Sequence, residues 1–287
     1  RSLNTRHKFA RGEFRVQSEY LLDDRGNGQL FNRIELIHEE QSNWQSIEIS
    51  DLEILGRVLV LDGIIQLSEL DKDRYHETIT HPIVQTSRKS SESTAEVLIL
   101  GGGDGIIASE VLKYPDTGVT LVDIDRRVVD LSRKHLGEMN GHALDSKWVK
   151  INNQDALDFV ESCDPSMYDS IFLDITDPHP NSPSASLLGD DAIKKYKRCL
   201  CRDGVIVAQT DNPFVTPEHL SKLKEILGAN FNHVGTFGIS AMTFSGAFSF
   251  VWASDSFSDL SFSEKMVSTN WLTNERFNLC KKMLELI

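Results

Sequence analysis

The stretch Val97-Leu-Ile-Leu-Gly101-Gly-Gly-Asp-Gly105 decides the fold. Four consecutive apolar residues suit a strand buried on both faces, as strands inside a parallel sheet are. Glycines placed directly after it let the chain turn sharply and let the main chain come close to a bound ligand. The same grammar repeats downstream. Residues 106–113 read as a helix. Val119-Thr-Leu-Val-Asp123-Ile-Asp125 reads as a strand ending in acids, and 126–136 as a helix. Further strands are expected at 147–152, 168–174, 204–209 and 248–253, with helices at 156–161, 193–199 and 217–227. Strand and helix alternate about five times, which predicts an α/β fold with a doubly wound, mostly parallel sheet.

Upstream the texture differs. A polar linker, 87–96, separates the strand from a helical pattern with Tyr75, Ile79 and Ile83 on it. Before that, 31–68 carries period-2 runs split by turn signals such as Asp62-Gly63, the pattern of hairpins. The expected division is a polar N-terminal segment over 1–30, a small antiparallel β-domain over 31–70, and the α/β domain with a helical tail over 71–287. In the tail, Trp271, Phe277 and Leu279 are expected to pack on the domain.

Composition narrows the function classes. The 287 residues include 30 Lys+Arg and 43 Asp+Glu, a net charge of −13. Such a balance argues against nucleic acid or an anionic membrane as partner, since phosphate binding needs basic faces. No run approaches the roughly 18 apolar residues of a membrane span. Cys163, Cys199, Cys201 and Cys280 form neither a disulfide framework nor a metal-knuckle spacing, so reduced thiols and a cytoplasmic location are expected, with no metal ligated.

In an open parallel sheet, ligands bind beyond the carboxyl ends of the strands. Here those ends carry Gly101, Gly102, Gly103 and Asp104, then Asp123, then Asp155, then Asp174 and Asp177. Any one of these acids could be a loop or capping residue. Arrival at the same end of successive strands points to a site. Asp123 stands about 20 residues beyond the glycines, where a carboxylate that binds ribose hydroxyls belongs. That position fits a nicotinamide dinucleotide or an adenosyl ligand. The loop does not complete G-x-G-x-x-G, and a carboxylate inside it would repel a pyrophosphate but could pair with a cationic tail. Asp155 at a third strand end suits an adenine amino group.

Val58-Leu-Val-Leu-Asp-Gly-Ile-Ile-Gln66-Leu-Ser-Glu69, then Asp71 with Tyr75-His76-Glu77, then Ile99-Leu-Gly-Gly-Gly-Asp-Gly105, then Asp174-Ile-Thr-Asp177-Pro178 resemble, in order and spacing, the spermidine synthase family of polyamine aminopropyltransferases. The match spans about 31 to 254. The resemblance implies a Rossmann-like, methyltransferase-type sheet behind a small antiparallel β-domain. It implies decarboxylated S-adenosylmethionine as co-substrate, with no tightly bound cofactor, and a di- or polyamine as acceptor, putrescine by default. It also implies a homodimer or homotetramer. By the same resemblance Asp174 is the base. Asp104 and Asp177 hold cationic nitrogens, and Tyr75, His76 and Gln209 line the amine site. Asp123 binds ribose, Asp155 and Ala156 adenine, while Gln45 and Pro183 touch the donor. Glu77 is a further candidate contact.

An ordinary amine is protonated at neutral pH and must lose a proton before it attacks, which is the task of a nearby carboxylate. Three departures stand out. Asp123 occupies a position where the family usually has Glu. The gate loop around 178–186 is lengthened. The family's late Pro-Thr-Tyr is replaced by Ile239-Ser-Ala-Met-Thr-Phe-Ser-Gly246, which opens the acceptor to longer amines such as spermidine. The alternatives are a methyltransferase that uses S-adenosylmethionine itself and a non-catalytic scaffold subunit. Asp104 disfavours the first, because it would repel the donor's carboxylate. Retention of Asp104, Asp174 and Asp177 disfavours the second.

Overall fold

The computed structural model describes residues 5–8, 14–21, 26–88, 94–175 and 184–286. The chain divides into two compact units, one of residues 1–72 with 241–246 and one of 73–240 with 247–287.

The first unit is an antiparallel sheet of six strands in sequential order: β1 (Thr5–Lys8), β2 (Phe14–Leu21), β3 (Gly28–Gln41), β4 (Ser46–Leu52), β5 (Gly56–Leu61) and β6 (Ile64–Ser68). A parallel pairing of Leu21 with Ile64 brings β2 back to β6 and rolls the sheet towards a small barrel. Its interior is filled by Tyr20, Phe31, Leu52, Leu55, Val58, Val60 and Ile65. The sequence put a polar segment before Phe31, yet strand pairing begins earlier, with Ser18 opposite Phe31 and Tyr20 opposite Gln29. The reason is closure: the sheet needs β2 to satisfy the edge of β3 and to reach β6. Within this unit, buried Thr243 donates from its N–H and its hydroxyl to Asp71 at 2.9 and 3.0 Å, and its hydroxyl also pairs with Ser68 at 2.6 Å. The stretch that replaces Pro-Thr-Tyr is thereby fixed by the N-terminal unit's own side chains.

The second unit holds the helix α1 (Lys72–Ser87) from Asp73 onward, and a seven-stranded sheet. Its strands are β7 (Ala95–Gly101), β8 (Thr117–Val122), β9 (Val149–Asn152), β10 (Tyr168–Asp174), β11 (Leu200–Gln209), β12 (His233–Ala241) and β13 (Gly246–Ser254). The order is β12-β13-β11-β10-β7-β8-β9. Strands β7 to β11 all run parallel to one another, and β13 runs antiparallel to β11. The chain winds outward from β7 through β8 to β9, then returns to lay β10 on the other side of β7. That reversal creates a crevice at the carboxyl ends of β7 and β10, where Gly101 and Asp174 pair in register.

The helices α2 (Ile106–Val111), α3 (Arg126–His135), α4 (Ala156–Ser162), α5 (Ser184–Leu187), α6 (Asp190–Cys199) and α7 (Pro217–Asn230) follow the strands, and α8 (Asn274–Met283) lies in the tail. Their starts are legible: Asp125 caps α3, Asp155 caps α4, and Pro217 occupies the first turn of α7. A core of Leu98, Leu100, Ile171, Leu173, Ile193, Tyr196 and Ile206, with neighbours, holds this side of the sheet. In the tail Phe277 is buried, but Leu279 is 63% exposed, contrary to expectation. One apolar stripe on α8 suffices to seat it, and Leu279 lies off that stripe. Among the described residues, no helix is long and apolar enough to cross a membrane.

Candidate active site

The glycine loop is shaped by contact with Asp174. Gly101 has φ +82°, and a Cβ there would stand 2.1 Å from the Asp174 carbonyl oxygen. Only glycine lets β7 end so close to β10. The Gly102 N–H then donates to that same carbonyl at 3.0 Å. At Gly103, a Cβ would meet the Asp123 carboxylate at 2.5 Å, and the Gly103 N–H donates to Asp123 Oδ2 at 3.0 Å. The other Asp123 oxygen accepts from the Asp125 N–H at 2.8 Å. Asp123 therefore ties the end of β8 to the loop, and each of its oxygens keeps a second lone pair.

Four side chains converge at this loop. The Tyr75 hydroxyl, from the first turns of α1, donates to Asp174 Oδ1 at 2.6 Å. His76 Nε2 lies 4.0 Å from Asp104 Oδ1. One ligand-type atom from each of His76, Asp104 and Asp174 falls within 4.8 Å of the others. Tyr75 is itself wedged between aromatic rings, with centroids 5.5 Å from Phe248 and 5.1 Å from Phe250. Asp104 is aimed by the Ile106 N–H, which donates to its Oδ1 at 2.7 Å.

Burial dominates the electrostatics. It pushes the Asp174 carboxyl up to about 6; the negative Asp104 pushes the same way, while His76 and the Tyr75 hydroxyl pull back. Burial likewise raises Asp104 to about 6, against the Ile106 N–H. Asp123 is raised to about 6 by burial, and its two N–H partners oppose that rise. Three carboxylates held at one sheet edge under protest of desolvation form a trap for positive charge. A cation placed among them relieves both burial and mutual repulsion. The donor set is oxygen-rich with one imidazole, and it would receive a metal ion or an organic ammonium by the same electrostatics.

The remaining sequence candidates fall in different places. Asp155 Oδ1 accepts from the N–H groups of Leu157 at 2.7 Å and Asp158 at 3.4 Å, so it caps α4, with Ala156 buried behind it. Gln209 is buried and braces the main chain: its Nε2 donates to the Ile175 carbonyl at 2.8 Å and its Oε1 accepts from the Asp211 N–H at 2.9 Å. Gln45 sits in the β3–β4 turn of the N-terminal unit, where its N–H donates to Ser42 Oγ at 3.1 Å. Asp177, Pro183 and most of the lengthened gate loop lie outside the described residues. Glu77 does not join the acids; its carboxylate is taken up by the tail. Sequence reasoning missed Asn140. It is fully buried and its Nδ2 donates to the Asp104 carbonyl at 2.8 Å, steadying the glycine loop from outside. The only signal was the Asn140-Gly141 turn dipeptide, which carries no hint of long-range contact.

Residues 72–264 match the spermine/spermidine synthase domain, and 26–69 match the spermidine synthase tetramerisation domain. The chain belongs to the spermine/spermidine synthase family. It is 37% identical over 233 residues to a polyamine aminopropyltransferase of Pyrobaculum calidifontis, covering 80% of this chain and 79% of that one. It is 33% identical over 233 residues to a polyamine aminopropyltransferase of Erwinia tasmaniensis, again covering 80% and 79%. The solved spermidine synthase of Thermotoga maritima superposes with a TM-score of 0.81 at 25% identity, covering 99% of this chain and 98% of that one. A spermidine synthase in complex with the transition-state analogue AdoDATO shares the fold, with a TM-score of 0.81 at 24% identity and 94% of each chain covered. The family expectation and the α/β fold read from the sequence both hold.

Proposed function

We propose that this aminopropyltransferase moves the aminopropyl group of decarboxylated S-adenosylmethionine to a polyamine at the crevice between β7 and β10, with Asp174 as the base. The observation that carries the reading is the Tyr75–Asp174–Asp104–His76 cluster: two part-buried carboxylates at a sheet switch point, both raised to about 6, with a hydroxyl fixed on the first. A site so built favours cationic ligands and disfavours a donor that carries a carboxylate.

The acceptor arrives as an ammonium and gives one proton to Asp174. Its free nitrogen then attacks the methylene carbon next to the sulfonium. The new C–N bond forms as the C–S bond breaks, and the electron pair returns to sulfur. The products are an aminopropylated amine and neutral 5′-methylthioadenosine. Charge disappears from sulfur and appears on nitrogen, so the fixed carboxylates follow it with little reorganisation. Asp104 holds the donor's amine, and Asp123 takes the ribose hydroxyls through its second lone pairs. Asp155 and Ala156 face adenine, with the glycine loop completing the donor site in this unit; Pro183 is assigned to the donor by the family resemblance alone. Tyr75, His76, Asp177 and Gln209 line the acceptor's path, Gln209 chiefly by bracing Ile175. Putrescine is the default acceptor. The segment 239–246 lacks the family's tyrosine, which keeps a longer amine such as spermidine open as the acceptor.

The tetramerisation-domain match over 26–69 supports a homodimer or homotetramer, and four free cysteines suit the reducing cytoplasm. The test is direct. The protein is incubated with decarboxylated S-adenosylmethionine and, in turn, putrescine, cadaverine, agmatine and spermidine, and products are weighed by mass spectrometry. The expected result is a mass gain of one aminopropyl group on one of these amines, with 5′-methylthioadenosine released in equal amount. Methyl transfer from S-adenosylmethionine, or no product with any amine, overturns the assignment.

A further inference from the structure

Glu77 adjoins Tyr75 and His76 on α1 and is fully buried, yet it touches none of the acids. Its carboxylate accepts three successive main-chain N–H groups: Asn270 at 2.6 Å on Oε1, and Trp271 and Leu272 at 2.8 and 2.7 Å on Oε2. Three charge-assisted bonds from a backbone nest are what a buried carboxylate needs in place of water. Neighbouring contacts reinforce the grip. Asn270 Nδ2 donates to Asp73 at 3.2 Å, and the Arg74 and Arg276 guanidinium groups lie 5.9 and 5.3 Å from the Trp271 ring.

Residues two apart on a helix point roughly 200° apart, so Tyr75 and Glu77 project from opposite sides of α1. On one side the Tyr75 hydroxyl sets Asp174; on the other Glu77 holds the tail. We propose that Glu77 is a positioning residue for aminopropyl transfer, because its grip on residues 270–272 fixes the rotation and height of the first turns of α1 and thereby places Tyr75 against Asp174. This rests on the reading of Asp174 as the base. The tail thus serves the chemistry although none of its residues touches the reacting atoms. A glutamine at 77 has the same shape but turns one acceptor oxygen into a donor, which faces N–H groups and breaks part of the nest. Freed of it, α1 can shift by a fraction of an ångström, enough to lengthen a 2.6 Å bond.

The experiment compares wild type, Glu77→Gln, Glu77→Asp and, as a tail control, Asp259→Asn, which removes an exposed ion pair to Lys281 and keeps an acceptor oxygen for the Leu260 N–H. Kinetics are measured well below each variant's melting temperature, across pH, together with binding of 5′-methylthioadenosine by calorimetry. Glu77→Gln is expected to lose about 10- to 100-fold in kcat, to raise the acceptor KM, and to move the acid limb of the rate profile to higher pH as Tyr75 leaves Asp174. Its affinity for 5′-methylthioadenosine stays within about twofold of wild type. Glu77→Asp, which keeps the charge, recovers part of the loss and provides the reading if Glu77→Gln does not fold. Asp259→Asn behaves as wild type. A folded Glu77 variant with wild-type kcat and an unmoved acid limb, whatever its melting temperature, overturns the proposal. A wild-type protein that transfers no aminopropyl group overturns the functional reading instead.

Discussion

At the scale of single residues, Asp174 and Tyr75 make the sharpest claims. Asp174→Asn keeps the shape and removes the proposed base, so turnover is expected to fall by about 10²-fold or more; a steady-state assay with near-normal turnover would contradict the role. The pH dependence follows from the raised carboxyl. Asp174 must be ionised to accept a proton, and burial holds it at about 6, so kcat should rise with pH through that value rather than through the ordinary carboxylate range near 4. Tyr75→Phe removes a bond that favours the ionised form, and the acid limb should then move upward while turnover drops. A limb that stays put in Tyr75→Phe would mean that the hydroxyl does not bear on Asp174 in solution. The acids themselves were legible in the sequence, because the strand pattern places them at one edge. Their division of labour was not. Asp155 reads the same whether it caps a helix, faces adenine or does both, and no local pattern shows that its Oδ1 accepts from the Leu157 N–H. Glu77 sits in the motif Tyr-His-Glu beside two site residues, and nothing local says that its carboxylate turns the other way.

At the scale of elements, the glycine loop is the joint on which the site depends. Gly101→Ala would set a methyl group 2.1 Å from the Asp174 carbonyl and would force a side chain into positive φ. The strand ends must then part. We expect a loss of roughly 1–3 kcal/mol of stability from the backbone conformation alone, together with weakened 5′-methylthioadenosine binding. Thermal melts and calorimetry on the same preparation check both, and an Ala variant with wild-type binding would show that the loop has slack. The strands of the parallel sheet were legible because double burial leaves apolar runs with turn residues at their ends. Strand β12 was not. His233-Val-Gly-Thr-Phe-Gly-Ile-Ser-Ala carries two glycines, which weaken a strand pattern. The structure gives one of them a reason: a Cβ at Gly235 would stand 2.4 Å from the Trp252 indole on β13. Strand β2 was hidden for a different reason. Phe-Arg-Val-Gln-Ser-Glu-Tyr-Leu is half polar, and its weak alternation is outweighed by polar residues on either side; its pairing with β3 and β6 is long-range information that no local window holds.

At the scale of the whole molecule, the net charge of −13 resolves into two populations. Many acids are solvated or paired on the surface, as Asp130 is with Arg126, Arg127 and Arg133, and such pairs contribute little. Asp104, Asp123 and Asp174 differ, because the fold holds them where ionisation is disfavoured. The sign of the consequence is fixed by linkage. With folded-state values near 6 against an ordinary value of 3.8, the native chain binds more protons than the unfolded chain between those pH values. The stability contributed by these three groups is therefore fully present below about 4 and is lost as pH rises through about 6. A cationic ligand reverses the loss by neutralising the ionised groups. The melting temperature gained from saturating decarboxylated S-adenosylmethionine should accordingly grow between pH 5 and pH 7.5, while the gain from neutral 5′-methylthioadenosine should change far less over the same interval. Differential scanning fluorimetry with both ligands at both pH values measures this. Parallel gains for the cation and the neutral nucleoside would remove the electrostatic basis of the site, whereas a gain specific to the cation ties the buried carboxylates, and through them the fold's strained edge, to the sulfonium and amine they are built to receive.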